Sequence, residues 1–398
     1  MEKKTDIFSR ERAAGVSIDA LRSRKILLGG AGNTGSHFVE RAARNFIGNI
    51  FIVDFDKEGY QPHNFAHSSI LLNPSEDEGK PKAETLAERA TEKLLVDGKY
   101  IGKTMDIRDF GPEVIKHFDY ALGFFDNVGA RKHLNEISRI AGVPFIETGL
   151  SDFGDVQLQA FDHNKEAPCY CCSTSQETVA QSCALNYEND ILKGIAPVTD
   201  VSGAIAADLA VQSIMNIENG CDFPWNSLIY YDPTEFSVKK YVLPKNPLCE
   251  VCNNDAIPEM VIPLEGSVDT VTYNELSEAI NSSTGKALKI CLPGRYVEED
   301  YCPHCGAKKV LNSAERRLSM SDVICPECIN KNSNEFLTLH VNNRKSYDGF
   351  DELPAHIRSR TLFEIGFAYG GHIFAMDESY NIYYFTMKDD IKIISDFI

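Results

Sequence analysis

The chain has 398 residues, of which 43% are hydrophobic and 25% are charged, as in an ordinary globular protein of roughly two or three domains. Its net charge of −18 argues against non-specific binding to nucleic acid, and no apolar run is long enough to cross a bilayer. The first residues, Met-Glu-Lys-Lys-Thr-Asp, lack an apolar signal-peptide core, so we expect a cytoplasmic protein whose twelve cysteines serve metal binding or reactivity rather than disulfides.

From residue 25 to about 165, short apolar runs alternate with stretches of helical spacing. This alternation predicts an α/β fold, Rossmann-like, in which a mostly parallel sheet carries helices on both faces. Residues 1–24 precede it as a polar, helical lead-in. The apolar runs are Ile26–Leu28, Ile50–Val53, Tyr120–Phe125 and Pro144–Ile146, and helical spacing covers Glu84–Leu95 and Ala130–Ala141.

The first motif of the alternating region is the glycine turn Gly30-Ala-Gly-Asn-Thr-Gly35. It follows the first apolar run, precedes a helical pattern from Ser36 to about Phe46, and is followed by a second run that ends at Asp54. Such a turn lets the backbone approach a phosphate at a helix N-terminus, and an acid about 20 residues on can bind a ribose. The turn glycines are Gly30, Gly32 and Gly35. The motif indicates a nucleotide but does not distinguish NAD from ATP.

The next region begins with a stretch that has little periodicity. Residues 166–200 are rich in Cys, Ser, Thr and Gln, and we interpret them as a long functional loop. Val201–Glu218 has the spacing of an amphipathic helix. Leu228–Tyr231 and Phe236–Leu243 are expected to form antiparallel strands, because the second alternates apolar and polar residues.

The last part of the chain is expected to form a second domain. After a boundary at Pro244–Pro263, residues 264–398 predict a separate α+β unit. It begins with a helix near Tyr273–Asn281 and ends in β-rich sequence over Thr361–Met387.

Eight cysteines form four Cys-x-x-Cys pairs: Cys169/Cys172, Cys249/Cys252, Cys302/Cys305 and Cys325/Cys328. Each pair can present two thiolates to one ion, and two pairs complete a tetrahedral zinc site. The last two pairs have the spacing of a zinc ribbon. The separation of the first two pairs is not diagnostic, so a redox pair or buried thiols stay open for them. Because four thiolates leave no open coordination position, any zinc here would be structural.

The other cysteines are Cys171, Cys183, Cys221 and Cys291. Cys221 and Cys291 adjoin apolar sequence, and we expect them to be packing residues. Cys183, within Gln-Ser-Cys-Ala of the 166–200 loop, is a candidate reactive thiol. An exposed thiol without a role is the alternative.

Three elements beyond the glycine turn favour ATP over NAD. Lys82, in Gly-Lys-Pro-Lys at the start of a helix, can reach phosphates as a point charge. Asp126 ends a predicted strand, where its carboxylate could hold Mg²⁺ or merely cap the next helix. Asp56 and Asn64 place a second acid and an amide near Asp54. A second acid and an amide suit a metal–nucleotide site better than a site for NAD.

These motifs occur in the order Phe8-Ser-Arg10-Glu, the glycine turn, Asp54-Phe-Asp56, Asn64, Gly79-Lys-Pro-Lys82, Asp126-Asn-x-x-x-Arg131, Pro168-Cys169-Tyr-x-Cys172, Cys183 and Asn246-Pro-x-Cys249-Glu-Val-Cys252. In that order they resemble the ubiquitin-activating (E1-like) superfamily, in particular the bacterial ThiF/MoeB/HesA-type adenylyltransferases. The resemblance covers about residues 5–253. It implies an adenylation domain over 25–253 with a crossover loop at 166–200, and a zinc ion held by the first two cysteine pairs.

The resemblance also implies residue roles. Asp54 would bind the ATP ribose, Asn64 and Lys82 would contact phosphates, and Asp126 would bind Mg²⁺. Arg10 would reach the site of an opposing protomer, which implies a homodimer. Cys183 falls where family members carry a loop cysteine that can form a thioester or persulfide adduct.

The chain departs from the family pattern at several points. Asn33 replaces one of two adjacent glycines in the turn, and His67 stands where the family has an arginine that contacts the nucleotide. The segment between Asp56 and Asn64 is slightly longer than usual. The loop before the Val201–Glu218 helix is also longer, which bears on the match of Cys183.

The resemblance implies ATP-dependent adenylation of the C-terminal glycine carboxylate of a ubiquitin-like β-grasp protein. Thioester formation on Cys183 and hand-over to a conjugating (E2-like) enzyme would follow. Residues 264–398 would then serve as a docking platform, or else only stabilise the dimer.

Several alternatives stay open at this point. A sulfur-carrier-protein adenylyltransferase of thiamin or molybdopterin type is one, and an enzyme that adenylates a peptide or a tRNA base is another, although tRNA suits the net charge badly. An NAD-dependent oxidoreductase would leave Lys82 and Asp126 without a role. A zinc adaptor without enzymatic activity would explain only residues 300–330.

Overall fold

The chain divides into two compact units. The computed structural model describes residues 7–150, 154–164, 166–173, 199–253, 258, 260–302, 305–318, 322, 325–329 and 344–398. The first unit comprises Met1–Arg108, Ile115–Ile257 and Phe397–Ile398, and the second comprises Asp109–Val114 and Pro258–Asp396. By sequence order alone, Asp109–Val114 would be assigned to the first unit and Phe397–Ile398 to the second, yet each belongs to the other unit.

An eight-stranded sheet forms the centre of the first unit. Its strands are β1 (Lys25–Gly29), β2 (Asn49–Asp54), β3 (Lys99–Thr104), β4 (Tyr120–Gly123), β5 (Phe145–Leu150), β6 (Val156–Phe161), β7 (Ser227–Asp232) and β8 (Ser237–Val242). They lie in the order β3-β2-β1-β4-β5-β6-β7-β8. Pairing is parallel from β3 to β5 and antiparallel from β5 to β8. The predicted Rossmann-like sheet and the antiparallel pair β7–β8 are confirmed.

The degree of burial explains which strands could be predicted from the sequence. Ile26–Leu28 of β1 and Ile50–Val53 of β2 are buried almost completely, as expected for parallel strands covered on both faces. In β3, Lys-Tyr-Ile-Gly-Lys-Thr, only the side chain of Tyr100 is buried. Because β3 is an edge strand with polar residues, its pattern did not predict a strand.

Nine helices are assigned within residues 7–218 of the described chain: α1 (Ser9–Ala13), α2 (Ile18–Ser23), α3 (Asn33–Arg44), α4 (Pro74–Asp77), α5 (Lys82–Thr91), α6 (Pro112–Ile115), α7 (Val128–Ala141), α8 (Tyr170–Ser173) and α9 (Asp200–Glu218). Two 3-10 turns cover Pro62–Ala66 and Ile107–Asp109. The helix after the glycine turn begins at Asn33, earlier than the predicted Ser36, so the end of the glycine turn is already helical.

Helices α3, α5 and α9 contribute to the main hydrophobic core of the first unit. Phe38 and Val39 of α3 are fully buried, as are Ala207 and Ala210 of α9. Small residues on α9 allow the two helices to pack closely. Their N-terminal ends lie near each other, since Asn33 of α3 contacts Thr199 at the start of α9, and the glycine turn runs into α3.

Among its described residues, the second unit contains two smaller sheets and four helices. Its strands are β9 (Ile262–Leu264), β10 (Lys289–Ile290), β11 (Tyr296–Tyr301), β12 (Lys308–Ala314), β13 (Arg344–Tyr347), β14 (Ile373–Met376) and β15 (Ile382–Met387), and its helices are α10 (Tyr273–Thr284), α11 (Pro326–Ile329), α12 (Ala355–Arg358) and α13 (Leu362–Ile365). The sheet orders are β10-β14-β15-β9 and β12-β11-β13. Two 3-10 turns, Glu315–Arg317 and Lys388–Ile394, are also assigned among its described residues.

The helix predicted near Tyr273–Asn281 is confirmed as α10. Thr272 and Glu275 form a capping box at its start, and Gly285 ends it in the left-handed conformation, with φ of +67°. Asp109 joins this unit through hydrogen bonds from Arg316 (2.7 Å) and Arg317 (2.8 Å). No helix in the described ranges is long and apolar enough to span a membrane.

Candidate functional site

A pocket of about 330 Å³ opens at the carboxyl ends of the parallel strands of the first unit. Its lining comes from the segments that follow β1, β2, β3 and β4, and from the end of β5. Ligands of open α/β sheets bind at this edge. The lining residues that the sequence had singled out are Gly30, Gly32, Asn33, Asp54, Asp56, Asn64, Lys82, Asp126 and Arg131.

Two glycines of the turn are required by close backbone approach. Gly30 has φ of +98°, and a Cβ there would lie 2.4 Å from the carbonyl oxygen of Phe124. A Cβ on Gly35 would lie 2.0 Å from the carbonyl oxygen of Gly30, so only glycine fits at position 35. Gly35 itself does not line the pocket. Gly32 has open space around it, facing the pocket. The turn therefore presents bare backbone to a ligand.

Asp54 fixes the glycine turn as well as facing the pocket. Its Oδ2 accepts a hydrogen bond from the amide of Ala31 (2.7 Å), and its Oδ1 accepts one from the amide of Asp56 (2.9 Å). Burial raises the pKa of Asp54, and these two hydrogen bonds oppose that rise. The buried Tyr60 donates to the carbonyl oxygen of Ala31 (2.9 Å). The strand side of the turn is thus held by two side chains.

Lys82, the first residue of α5, points back toward β2. Its Nζ lies 2.6 Å from Asp56 Oδ2, and its side chain is 12% exposed. The ion pair holds a positive charge beside the glycine turn. A bound phosphate could take the place of Asp56 as the partner of this cation.

Asp126 lies at the pocket edge after β4, and the cap of the following helix is a different residue. The side chain of Asn127 accepts from the amide of Ala130 (2.7 Å), so Asn127 and not Asp126 caps α7. The Asp126 side chain is exposed and lines the pocket. A carboxylate so placed can act as an oxygen ligand for a metal ion.

Arg131 braces the loop that carries Asp126. Its guanidinium donates to the carbonyl oxygen of Phe125 (3.1 and 2.5 Å) and to Glu147 Oε2 (3.0 Å). Burial raises the pKa of Glu147, and Arg131 lowers it. The buried pair fixes the direction in which the chain leaves β4.

Asp106 and Arg108 are pocket residues that the sequence reasoning missed. They form a bidentate ion pair, in which Arg108 Nε lies 2.9 Å from Asp106 Oδ1 and Arg108 Nη2 lies 2.5 Å from Asp106 Oδ2. Both follow the end of β3 and line the pocket. Had β3 been predicted as a strand, these two residues would have been site candidates. Polar residues that follow a parallel strand lie at the edge of the sheet where ligands bind.

Some predicted site residues lie elsewhere. Arg10 is exposed on α1 and does not line this pocket, and neither does His67, which follows the Pro62–Ala66 turn. Cys183 lies outside the described residues. The expectation that Cys221 is a packing residue is wrong: it lies just after α9 in a run of exposed residues and is itself exposed. Cys291 is partly buried, and burial raises the pKa of its thiol.

The eight paired cysteines form two clusters, one in each unit. In cluster 1 (Cys169, Cys172, Cys249, Cys252) and in cluster 2 (Cys302, Cys305, Cys325, Cys328), the four sulfurs lie within 4.8 Å of one another. Tetrahedral zinc with Zn–S bonds of about 2.3 Å places its sulfurs about 3.8 Å apart. The observed distances include 3.8 Å for Cys169–Cys249 and 3.7 Å for Cys302–Cys328. Both clusters could therefore hold zinc.

A family model and several known proteins match this chain. The model described as the ThiF family matches residues 8–251. "Ubiquitin-activating enzyme E1-like" from Saccharomyces cerevisiae is 32% identical over 166 residues, which cover 41% of this chain and 24% of the yeast protein. The chain thus spans about a quarter of the length of that relative.

Two bacterial relatives match over most of their own length. Molybdopterin-synthase adenylyltransferase of Escherichia coli is 23% identical, and the match covers 59% of this chain and 89% of that protein. Sulfur carrier protein adenylyltransferase of Thermus thermophilus is 24% identical, with 62% and 89% covered.

Among solved structures, the crystal structure of E. coli MccB with AMPCPP and MccA has a TM-score of 0.50 and 18% identity. It covers 63% of this chain and 74% of that chain, and the likeness concerns the fold alone.

Proposed function

This chain belongs to the ThiF family, and on that premise we propose that it adenylates the C-terminal glycine carboxylate of a ubiquitin-like β-grasp protein. Its relatives are adenylyltransferases and E1-like activating enzymes, so the chain is an ATP-dependent adenylyltransferase, and the NAD-dependent oxidoreductase alternative is not supported. The observation that carries the proposal is the gathering of a glycine turn, the Lys82–Asp56 pair and Asp126 in one pocket.

The phosphates and the ribose of ATP would occupy different parts of the pocket. The phosphates would lie at the glycine turn and the N-terminus of α3, where backbone N–H groups and the helix dipole favour an anion. Lys82 and Asn64 would contact these phosphates, and Asp54 would accept hydrogen bonds from the ribose. A volume of about 330 Å³ is within the range of small-molecule sites, roughly 300–1,000 Å³.

In the proposed reaction, a carboxylate oxygen of the protein tail attacks the α-phosphorus of ATP. The bond from that phosphorus to the bridging oxygen breaks, and pyrophosphate leaves with its electron pair. Catalysis of this kind depends on positioning and on stabilisation of charge. Lys82 would exchange Asp56 for a phosphate oxygen, and Arg131 would keep the Asp126 loop in place.

Magnesium and zinc fit different residues of the first unit. Mg²⁺ prefers carboxylate oxygens and water, and Asp126 and Asp56 both offer carboxylates at the pocket. When bound, Mg²⁺ offsets the charge of the phosphates. Zn²⁺ suits the four thiolates of cluster 1, where its role would be structural because no coordination position stays open.

A homodimer would explain the position of Arg10. Arg10 is exposed on α1 and does not line the pocket of its own chain, so the Arg10 of a second copy would contact ATP. Mixing Arg10→Ala with Asp126→Ala tests this, because mixed dimers then contain one complete site. We expect the mixture to regain pyrophosphate exchange that each variant lacks; no gain would contradict the dimeric site.

After adenylation, we propose attack of Cys183 on the acyl-adenylate, which forms a thioester and releases AMP. The second unit would then dock a conjugating (E2-like) partner. Cys183→Ala should spare adenylation and abolish a thiol-reducible adduct with the substrate protein, as seen on non-reducing gels. Persistence of the adduct would assign the reaction to another cysteine, with Cys171 and Cys291 as candidates.

Adenylation of a sulfur-carrier protein is the second candidate, since two relatives carry names of that class. ATP–pyrophosphate exchange with purified β-grasp proteins that end in Gly-Gly tests the adenylation that both candidates share. A thiocarboxylate product would favour sulfur transfer, and isopeptide conjugates would favour protein modification. Absence of exchange with every such protein would overturn the proposed substrate.

A further inference from the structure

Asn33 occupies a notch that a glycine opens in a neighbouring helix. It is the first residue of α3 and lines the nucleotide pocket. Its Nδ2 donates to the carbonyl oxygen of Thr199, the N-cap of α9, at 3.2 Å. A Cβ on Gly203 of α9 would lie 1.4 Å from Asn33 Oδ1. Helix α9 therefore accommodates the Asn33 carboxamide because residue 203 has no side chain.

A histidine–carboxylate contact and an ion pair continue the contact along the same face of α3. His37 Nε2 lies 3.0 Å from Asp200 Oδ1, and Arg41 Nε lies 3.0 Å from Asp208 Oδ1. Residues spaced by four share one face of a helix, so Asn33 belongs to a row that runs along α9. These three residues hold α3 against α9, beginning at Asn33, the first residue of α3.

The two ends of the glycine turn are held by different groups. On the strand side, Asp54 and Tyr60 bind the amide and the carbonyl of Ala31. On the helix side, Asn33 binds α9, and its Oδ1 is buried and accepts no hydrogen bond from any described residue. A buried acceptor without a donor costs free energy, so the arrangement is not explained by the stability of the side chain itself.

We propose that Asn33 is a positioning residue for ATP, which acts by locking the first turn of α3 against Gly203 and Thr199. This inference rests on the proposed function, because ATP is the ligand concerned. The lock keeps the N–H groups of the turn aimed at the phosphates before ATP arrives. Binding then needs less ordering of the loop, which increases affinity. The glycine motif does not imply this lock, since Asn33 stands where the family has a glycine.

The lock itself is tested by the melting temperature of Gly203→Ala in two backgrounds. Alanine is the better helix former, so with Asn33→Gly we expect Gly203→Ala to raise Tm by about 2 °C. With Asn33 present, the added methyl displaces the carboxamide, and we expect no rise or a fall. Gly129→Ala in α7 is the matched control, because its methyl would lie 3.6 Å from the nearest atom, and it should raise Tm in both backgrounds. Equal rises for Gly203→Ala would overturn the lock.

The effect on ATP is tested by calorimetric titration with a non-hydrolysable ATP analogue. Asn33→Gly and Gly203→Ala should each weaken binding by about threefold to tenfold, the size of one ordinary hydrogen bond, and the double variant should be no weaker than either. A purely structural role would lower Tm without changing affinity. Unchanged affinity in both single variants, or additive losses in the double variant, would overturn the inference.

These results separate the inference from the proposed function. If the wild type binds the analogue and the variants bind it less tightly, the inference stands even when no β-grasp protein supports exchange. If the wild type binds no ATP analogue, the proposed function fails and the positioning role fails with it, whatever the melting temperatures show about packing.

Discussion

In the candidate nucleotide pocket, Lys82 and Arg108 each pair with a carboxylate and still keep 12% and 30% of their side chains exposed. In the two cysteine clusters, by contrast, four sulfurs face one another within 4.8 Å and are mostly buried. An exposed pair can exchange its partner for a ligand, whereas a closed set of four thiolates has no position to offer. The pocket is thus suited to chemistry, and the clusters to holding the chain together.

The two clusters also differ in the length of chain that they close. Cluster 1 joins residues 80 positions apart, such as Cys169 and Cys249, and cluster 2 joins residues 26 positions apart, such as Cys302 and Cys328. Closing the longer loop costs only about 1 kcal/mol more, because loop entropy grows with the logarithm of length. Equal geometry is therefore reached from very unequal spacing.

The largest effect on adenylation is expected from the pocket at Asp126. Asp126→Ala should reduce ATP–pyrophosphate exchange by at least about 100-fold, since a group that stabilises charge near the reacting phosphate is removed. Tm should stay the same, because Asn127 and not Asp126 caps α7. The exposed Asp222 provides a control, as Asp222→Ala should retain activity. Retained activity in Asp126→Ala would mean that the metal is bound elsewhere.

A smaller loss is expected at the Lys82–Asp56 pair. Lys82→Met keeps much of the side-chain volume and removes the charge, so KM for ATP should rise by about 10-fold to 100-fold, the range of a charge-assisted hydrogen bond. Exchange kinetics at varied ATP concentration measure it. Lys80→Met is the matched control, because Lys80 pairs with Asp77 outside the pocket. An unchanged KM in Lys82→Met would place the phosphates away from α5.

Cluster 1 should affect activity through stability. Cys249→Ser is expected to remove one zinc per chain and to lower Tm by about 10 °C or more, because zinc binding contributes several kcal/mol to folding. ATP–pyrophosphate exchange by the variant should then be lost at temperatures at which the wild type is still active. Zinc analysis and a thermal scan measure both effects. An unchanged zinc content would contradict the assignment of cluster 1.

The smallest effect on exchange is expected from cluster 2. Cys325→Ser should also remove one zinc, yet leave exchange within about twofold of wild type, because cluster 2 lies in the unit without the pocket. The same zinc analysis and an exchange assay at 25 °C measure these values. A loss as large as that of Cys249→Ser would show that the contrast between the clusters is false.

Local patterns predicted the parts of the site that adjoin strong secondary-structure signals. Gly30 and Gly32 of the glycine turn, Asp54 and Asp126 each lie at or just after the end of a buried strand, and all four line the pocket. Asp106 and Arg108 escaped because β3 is polar and gave no signal. The ion pair of Lys82 with Asp56 could not be predicted either, since a sequence does not state which of several acids a lysine will meet.

The sequence by itself determined the α/β fold, the glycine turn and the four Cys-x-x-Cys pairs, because each depends on periodicity or spacing along the chain, and the order of its motifs indicated the family. Tertiary structure alone decided that Asn33 faces Gly203, that residues 109–114 belong to the second unit, and that Phe397 lies 5.6 Å from Phe51, ring centre to ring centre. The physical reason is the same in each case. These contacts join residues far apart in sequence, and packing selects them only once the sheet and helices have assembled.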